Sequence, residues 1–405
     1  MQLRSVPPGW NQLPLGEVAT LQRGFDLPIQ GRIEGLIPVY GSNGIDGWHS
    51  RHAVSGPGVI TGRSGSIGFV FYEENDFWPL NTTLYVRDFH GNHPSFVVYL
   101  LEALRLSRFS ASTGVPSLNR NFVHPIPVLV PPLPEQHRIA EILDAADEAI
   151  RQTERVIAKL KAVKAGLLHD LLTRGLDQHG HLRDPHAHSE QFKDSPLGRI
   201  PREWNVGGLS SFLKESDGIK PGPFGSSITK RMYMSGGYRV YGQEQVIAGT
   251  LSVGDYYISQ SKYLELQSFA VHEMDLLVSL VGTIGEVLVI HSPFEPGVIN
   301  PRLIRLRPNP VECDIEFLKH LLVSTLVRGQ MTRIAQGGTM SVLSGAVLRK
   351  LTLAKPPTKE QSRIATILNR HGARIRAEEV ELAKLRRVKR GLMDDLLTGW
   401  VRVSP

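Results

Sequence analysis

Hydrophobic residues recur at spacings of three, four and seven along residues 139–171 and 364–396. This heptad spacing predicts one long amphipathic helix in each stretch. Prolines at 131–134 and 356–357 predict where the helices start, because proline does not fit a helix interior. About 35 residues at 1.5 Å each give a rod of roughly 50 Å, and a single apolar stripe of that length needs a partner. The two helices are therefore predicted to form an antiparallel coiled coil, the alternative being that each covers its own domain.

Shorter hydrophobic runs fill the regions that precede these helices. Runs such as 59–61 and 83–86 are rich in β-branched and aromatic residues and end at Gly, Asn or Ser, which predicts many short strands. A short helix is expected after the strands of each region, at 96–101 and 317–322. The expected fold class is α+β, with two α/β domains separated by two long helices in an antiparallel coiled coil, and a pseudo-twofold internal repeat. The predicted segments are a first globular domain 1–132, a first helical region 133–175, a linker 176–199, a second globular domain 200–357 and a second helical region with its tail 358–405.

The chain is a tandem duplication. Residues 135–173 and 360–398 are identical at 21 of 39 positions without a gap, at a constant offset of 225. Earlier in each half the match is weaker and the offset is smaller, 201 at Tyr241 and 219 at Asn300. Loops absorb insertions, whereas continuous helices whose register matters do not. Each half is therefore predicted to be a variable globular domain followed by a helix of fixed length.

The composition limits the class of protein further. Among 405 residues, 46 Lys and Arg stand against 39 Asp and Glu, and the net charge of +7 permits a nucleic-acid partner without establishing one. Residues 1–132 have 9 charges of each sign, whereas 358–400 have 10 positive and 6 negative. No apolar run approaches the roughly 20 residues of a membrane span, so a soluble cytoplasmic protein is expected. The one cysteine, Cys313, excludes an intramolecular disulfide and a multi-cysteine metal site.

Motifs for catalysis are absent from the sequence. It has no Walker A loop, no H-E-x-x-H and no G-x-S-x-G, and residues 300–302 depart from the Asn/Asp-Pro-Pro-aromatic pattern of amino-methyltransferases. A metal site in the linker is conceivable because imidazoles are common ligands, but a solvated linker is the favoured interpretation. The linker histidines are His179, His181, His186 and His188. We therefore predict no catalytic residue and no metal ligand.

Glycine-rich polar loops recur at corresponding places in both halves, such as 61–66 and 281–285. Glycine lets a backbone approach a ligand closely. Arg, Asn and Gln can make paired hydrogen bonds with base edges, and Ser and Thr suit phosphate oxygens. Any single loop is better explained as an ordinary turn, but the recurrence of these loops in both halves favours a shared binding surface. The candidate DNA-binding residues in and around these loops are Tyr40, Ser42, Asn43, Arg63, Ser64, Ser66, Asn81, Thr113, Ser117, Asn119, Arg120, Tyr241, Gln243, Gln245, Lys262, Thr283, Asn300, Arg302, Gln336, Thr339 and Ser341.

The order of these elements resembles the specificity subunit of type I restriction–modification enzymes. The helix starts at 131–136 and 356–361 share its Pro-Pro-x-x-Glu-Gln signature, and both helices end in Leu-Leu-Thr. The resemblance covers essentially the whole chain. It implies that each globular domain is a target recognition domain for one half of a bipartite, asymmetric DNA site.

The resemblance also implies partners. The helices would set the spacer between the half-sites and dock two methyltransferase subunits. Restriction and translocase subunits would join this assembly. The complex would act on double-stranded DNA, and no membrane would be involved. Adenine methylation with S-adenosylmethionine, and the use of ATP and Mg, would belong to those partners, so this chain is expected to hold no cofactor and to be non-catalytic. The residues expected to dock partners are Glu135, Gln136, Arg138, Ile139, Glu360, Gln361, Arg363 and Ile364. The second helix departs from the pattern at 386–390, where the sequence Arg-Arg-Val-Lys-Arg stands in place of the Lys-Ala-Val-Lys-Ala of 161–165. This leaves open whether both copies dock alike.

Other interpretations stay open at this point. The chain would also fit a specificity subunit of another restriction class, in which methyltransferase and nuclease share one partner chain. A scaffold whose coiled coil is the functional part would show no sequence-specific DNA binding. A self-sufficient enzyme is disfavoured by the missing motifs.

Overall fold

The structure is a computed structural model, and it describes residues 6–110, 116–280, 284–336 and 343–404. The chain divides into two compact units. The first unit comprises Met1–Val156 with Glu378–Pro405, and the second comprises Ile157–Ala377. Each unit therefore combines one globular region with the beginning of one long helix and the end of the other.

The described residues of the first unit form three sheets. A four-stranded antiparallel sheet has the order β2-β8-β5-β6, a three-stranded sheet has the order β4-β3-β7 with β3 and β7 parallel, and β1 pairs with β9. The strands are β1 Asn11–Pro14, β2 Thr20–Arg23, β3 Ile37–Gly41, β4 Gly44–His49, β5 Gly58–Gly62, β6 Val70–Glu73, β7 Trp78–Pro79, β8 Thr83–Asp88 and β9 Pro127–Val130. The helices are α1 Leu15–Val18, α2 Pro94–Leu104, α3 Arg120–Val123 and the first part of α4 Leu133–Thr173.

The core of the first unit lies between the four-stranded sheet, α2 and the long helices. Strand β5 is buried along its whole length, as expected for an inner strand, and α2 has its proline at the first helical position. Val59 of β5 and Phe96 of α2 share one buried cluster with Ile139 of α4 and Leu396 of the last helix. The globular region is thus packed directly on both long helices.

The second unit repeats this plan. Its four-stranded sheet has the order β13-β19-β16-β17, its three-stranded sheet has the order β15-β14-β18 with β14 and β18 parallel, and β12 pairs with β20 and β10 with β11. The strands are β10 Phe192–Lys193, β11 Ile200–Pro201, β12 Asn205–Gly208, β13 Ile219–Pro221, β14 Tyr238–Tyr241, β15 Tyr257–Ile258, β16 Leu276–Ser279, β17 Val287–Val289, β18 Gly297–Ile299, β19 Leu303–Leu306 and β20 Thr352–Lys355. The helices are α5 Gln243–Ala248, α6 Gln260–Glu265, α7 Ile315–Val323, α8 Thr325–Gln336, α9 Gly345–Arg349 and α10 Thr358–Leu396.

The duplication extends to strand order. Every strand of the three sheets in the first unit has a counterpart at the same place in the second, and α2 corresponds to α7. The units differ in the segments between these strands: β3 and β4 are joined by the two residues Ser42 and Asn43, whereas α5 lies between β14 and β15. Such insertions account for the offset that grows along each half and stops growing at the long helix.

The long helices pair antiparallel within each unit, as the heptad pattern predicts. In the first unit Ile139 packs with Leu396, and Arg386 lies 2.7 Å from Glu154. Residue numbers rise along one helix as they fall along the other. In the second unit Leu171 of α4 packs with Ile364 and Leu368 of α10 by the same rule.

Helix α4 begins at Leu133, the first residue of the predicted helical region. Its first turn contains Pro134, although the prolines of 131–134 were expected to precede the helix. Proline is tolerated in the first helical turn, where its missing N–H has no partner to lose. Helix α10 begins at Thr358, directly after its two prolines.

The predicted linker 176–199 is folded. It contains a bridge between Leu176 and Leu182 and the strand pair β10–β11. The backbone N–H groups of His179 and His181 donate to Asp177 Oδ1 at 2.9 and 2.8 Å. Within the described ranges, no group of three or more His, Cys, Asp or Glu side chains could hold a metal ion.

Candidate nucleic-acid interface

The first unit brings several of its candidate residues together at one end of β5. The backbone N–H groups of Arg63 and Ser64 donate to Thr82 O at 2.8 and 3.1 Å, and Ser64 forms a β-bridge with Ser117. Arg63 Nη1 donates to Asn81 O at 2.8 Å. Three segments far apart in sequence therefore meet here, and each supplies a predicted residue.

The tip of the β3–β4 hairpin lies beside this group. A Cβ on Gly65 would be 3.5 Å from Ser42 Oγ, and the backbone of Ser66 lies so close to Gly62 that a side chain there would collide with it. Glycine at position 62 is thus required by the tight loop. Asn43, at the hairpin tip, is exposed.

The remaining described candidates of the first unit differ in exposure. Asn119 and Arg120 are exposed at the start of α3, where the Asn119 side chain accepts a hydrogen bond from Asn121 N at 3.0 Å and caps the helix. Tyr40 is buried in the core, and its hydroxyl donates to Glu73 at 2.9 Å. Burial and this carboxylate raise the pKa of Tyr40. Tyr40 therefore stabilises the β3–β4 hairpin from the core side.

Arg23 and Asp26 belong to the same surface but are missing from the predicted set. The Asn81 side chain donates to Asp26, which also forms an ion pair with Arg23 at 3.0 Å. Both charged residues are largely exposed. Arg23 is the last residue of β2 and Asp26 lies in the loop that follows. This position was the signal that could have identified them, since loop residues at strand ends often bind ligands.

In the second unit, two candidates hold a loop in place. Tyr241 is fully buried, its hydroxyl donates to Glu295 O at 2.6 Å, and burial raises its pKa to about 12. Gln245 is also fully buried, accepting from Gly242 N at 2.8 Å and donating to Val253 O at 2.7 Å. Both groups of its amide are therefore bonded to the backbone of this loop.

The turn at Asn300 is the counterpart of the turn at Asn81. Asn300 lies between β18 and β19 as Asn81 lies between β7 and β8, and its side chain accepts a hydrogen bond from Arg302 N at 2.9 Å. Arg302 is exposed. A Cβ on Gly222 would be 2.0 Å from Asn300 O, so the loop after β13 lies directly against this turn.

That loop supplies exposed residues that sequence reasoning missed. Phe224 is 87% exposed, and Lys230 and Arg231, six and seven residues further along the same loop, are exposed as well. Exposed aromatic and basic side chains in one loop suit base stacking and phosphate contacts. The run Lys-Arg with a nearby aromatic was the available signal, obscured because this loop has no counterpart motif in the first half.

The last described candidates are less telling. Gln243 is half-buried, and Lys262 forms an ion pair with Glu265 at 2.7 Å on α6. Gln336 closes α8, but its side chain lies outside the described residues. So do four further candidates: Thr113, Thr283, Thr339 and Ser341.

Glu135, predicted to dock a partner, is almost fully buried and joins distant parts of the first unit. Its carboxylate accepts a hydrogen bond from Trp10 Nε1 at 3.0 Å and two from Arg402 at 2.8 Å. Burial alone would raise the pKa of Glu135, but the hydrogen bonds from Arg402 and Trp10 outweigh it and lower this pKa below its ordinary value. The start of α4 is thereby tied to both ends of the chain.

Glu360 repeats this arrangement in the second unit. It accepts hydrogen bonds from Trp204 Nε1 at 3.0 Å, Arg183 Nη1 at 2.6 Å and Leu176 N at 2.7 Å. In each unit, the glutamate at the start of a long helix accepts hydrogen bonds from a tryptophan before the globular region and from an arginine after the end of a long helix. This clamp is the second feature, besides strand order, that the duplication preserves.

The neighbouring glutamines fix the short helix of each unit. Gln136 Oε1 accepts a hydrogen bond from His93 N, the N-cap of α2, at 2.9 Å. Gln361 Oε1 accepts one from Asp314 N, the N-cap of α7, at 3.0 Å. Each glutamine thus binds an otherwise unpaired donor at a helix start.

The other predicted docking residues divide by exposure. Ile139 and Ile364 are fully buried. Arg138 is exposed in an ion pair on its own helix, and Arg363 is exposed and donates to Gln178 O at 3.2 Å. The buried residues hold each globular region on the helices, and docking by any of the eight stays a prediction.

The protein has two repeated α/β units, and each is packed on paired long helices. Each unit has polar turns at the end of the corresponding sheet. This arrangement defines a modular binding protein. The sequence from 7 to 162 and from 225 to 387 matches the family model of the type I restriction modification DNA specificity domain. The chain belongs to this family, and it is a specificity subunit that recognises DNA sequence. In the part of the chain that the structure describes, no helix is long and apolar enough to cross a membrane.

Similar proteins agree with this assignment. The specificity subunit of the type I restriction enzyme MjaVIII from Methanocaldococcus jannaschii is 24% identical over 315 residues, which are 76% of this chain and 71% of that protein. A putative type I specificity subunit from Mycoplasma pneumoniae is 28% identical, with 87% and 86% covered. The crystal structure of a type I S subunit from M. genitalium superposes with a TM-score of 0.62 at 14% identity, covering 98% of both chains.

Proposed function

We propose that each unit recognises one half of a bipartite, asymmetric DNA site. The observation that supports this is the repeated sheet with its turn at Asn81 in the first unit and at Asn300 in the second. In each unit this turn lies beside a polar loop, the one after β5 in the first unit and the one after β13 in the second, and these two loops have different sequences. A shared scaffold with different loops suits two half-sites of different sequence.

The paired helices set the spacer and dock two methyltransferase subunits. Their constant offset supports a spacing role, because an insertion in one helix alone would break the antiparallel pairing. Adenine methylation with S-adenosylmethionine, and cleavage by restriction and translocase subunits with ATP and Mg, belong to the partners. The chain itself contributes sequence recognition and assembly.

The charge distribution supports a division of labour with the partners. Residues 1–132 have equal numbers of acidic and basic side chains. Phosphate neutralisation dominates the affinity of most DNA-binding proteins and depends on Lys and Arg. This subunit alone therefore binds DNA modestly, and its partner subunits supply much of the phosphate contact.

The experiment is an exchange of residues 1–130 in the assembled complex. The chain is co-expressed with its methyltransferase subunit, and methylated adenines are mapped by single-molecule sequencing before and after exchange for another recognition domain. The donor domain must keep a tryptophan at position 10, because Glu135 binds it. We expect one half-site to change while the other half-site stays the same. A change in both halves would show that the units do not act separately.

A further inference from the structure

The two units differ sharply in charge at one corresponding place on the long helices. In the first unit Lys389 of α10 lies among acids: its Nζ is 2.8 Å from Asp147 of α4 and 3.1 Å from Glu102 of α2. The ammonium also lies 5.1 Å from the ring centroid of Tyr99, whose hydroxyl donates to Asp144 at 2.6 Å. The positive charge is fully compensated.

The offset of 225 identifies the equivalent place in the second unit, where Lys164 of α4 corresponds to Lys389. There the acids of the helix are gone. Asp144, Asp147 and Glu148 of α4 correspond to Asn369, Gly372 and Ala373 of α10, and Glu102 of α2 corresponds to Val323 of α7. The hydrogen bond from Tyr99 to Asp144 has its counterpart in one between His320 and Asn369, at 2.8 Å, so the alignment holds in space.

The cations are retained. Arg151, which pairs with Glu148 in the first unit at 2.9 Å, corresponds to Arg376, whose partner position is now Ala373. A Cβ on Gly372 would lie 3.3 Å from Lys164 Nζ and 3.4 Å from Arg376 Nη1. Both cationic groups therefore converge on the residue that replaces a carboxylate.

Neither cation has an acidic partner in the described ranges of the chain. A further lysine of α7, Lys319, adds to the positive charge, although Glu316 lies 3.6 Å from it. Burial lowers the pKa of Lys164, and the charges of Arg376 and Lys319 lower it further. Two cations held side by side repel each other, an arrangement that a bound anion would relieve.

We propose that Lys164 and Arg376 form a binding site over Gly372 for one oxyanion, of the size of a carboxylate or phosphate group. The first unit shows what such a site requires, because there the same lysine position is neutralised by an aspartate from the position of Gly372. In the second unit the anion comes from outside the chain. Charge-assisted hydrogen bonds from lysine and arginine provide the affinity.

Phosphate binding to the full chain tests the site. Unfolding midpoints are measured in sodium phosphate and in sodium chloride at equal ionic strength, for the wild type and for Lys164→Gln and Gly372→Asp. Matched controls are Lys159→Gln, an exposed lysine of the same helix, and Gly166→Asp, at a position with open space around a Cβ. The controls are needed because phosphate stabilises proteins in general.

We expect the extra stabilisation by phosphate to persist in both controls and to be lost in both site variants. Loss of one charge-assisted contact should weaken phosphate binding by about tenfold or more. In chloride, Gly372→Asp should unfold at a higher midpoint than Gly166→Asp, because it restores the carboxylate of the first unit. An equal phosphate effect in all five proteins, or equal midpoints of the two aspartate variants, would overturn the proposal.

A second arm separates the sources of the anion, and this arm alone rests on the proposed function. If a carboxylate of the methyltransferase subunit occupies the site, Gly372→Asp weakens assembly with that subunit and Gly166→Asp does not. If free phosphate is the occupant, both variants assemble like the wild type and the phosphate effect is still lost in Gly372→Asp. Failure of the wild type to assemble would count against the proposed function, not against the site.

Discussion

At the scale of single residues, each unit is held together by a buried glutamate that accepts hydrogen bonds from one tryptophan and one arginine. Glu135 and Glu360 lie at the first turn of their helices, where carboxylates are also favoured by the helix dipole. Each glutamate joins segments more than 100 residues apart. Such a contact cannot be seen in the local pattern of a sequence, and the residue was predicted to serve a partner instead.

Replacing Glu135 with glutamine should destabilise the first unit by about 1–3 kcal/mol, because the buried Trp10 N–H and Arg402 lose a charged acceptor. Arg402 is partly exposed and recovers some hydration, which keeps the cost below that of a fully buried pair. The control is Glu141→Gln, which removes an exposed pair with Arg138 on the same helix and should cost no more than about 0.5 kcal/mol. Equal denaturant midpoints for the two variants would contradict the clamp.

The stabilities of the wild type and of Glu135→Gln should depend differently on pH. The pKa of Glu135 is lower in the folded state than in the unfolded state, so its contribution is complete above its ordinary pKa of 4.5 and is lost as the pH falls through the lower folded value. The stability difference between wild type and Glu135→Gln should therefore be largest near neutral pH and shrink below about pH 4.5. Chemical denaturation at pH 7, 5 and 3 measures it, and a constant difference would exclude the ionised carboxylate as the cause.

At the scale of elements, the end of each long helix depends on one glycine. Gly175 follows α4 with φ +62°, and a Cβ there would lie 2.3 Å from Glu360 Oε1 and 2.4 Å from Trp204 Cζ2. Gly399 follows α10 with φ +68°, and a Cβ there would collide with Pro7. The left-handed cap and the close approach of the clamp thus coincide at one residue.

Gly175→Ala should destabilise the second unit by more than about 1 kcal/mol, because the energetic costs of the left-handed backbone and of the collision with the clamp add together. Gly166 is the matched control, because it lies inside the same helix with open space around a Cβ. Gly166→Ala should stabilise the helix by about 0.5–1 kcal/mol, as alanine does relative to glycine in helix interiors. Urea denaturation of both variants gives the two signs, and destabilisation by both would contradict this assignment.

The elements show what the sequence could and could not predict. The long helices and their pairing followed from the heptad period, and strands β5 and β8 followed from runs rich in β-branched and aromatic residues. The loops did not. Tyr40, Tyr241 and Gln245 were selected as candidates because they lie in glycine-rich segments, yet all three are buried. Their exposure depends on contacts with distant segments, which local composition does not reveal.

At the scale of the whole molecule, the constant offset of 225 is the feature that links sequence to function. The globular regions differ in length at several places, but the two helices align over 39 positions without an insertion or deletion. Equal length preserves the antiparallel pairing inside each unit. It would also fix the distance that the two half-sites must match.

Adding one helical turn to both helices should therefore change the spacer of the recognised DNA site. Four residues lengthen a helix by about 6 Å, which is between one and two base pairs at 3.4 Å per base pair. We expect the half-sites to stay the same and their separation to grow by that amount, mapped by methylated adenines in the assembled complex. Insertion into one helix only is the control, since it shifts the apolar stripes out of register and should abolish methylation. If the doubly extended chain methylates sites with the original spacer, helix length does not set the separation.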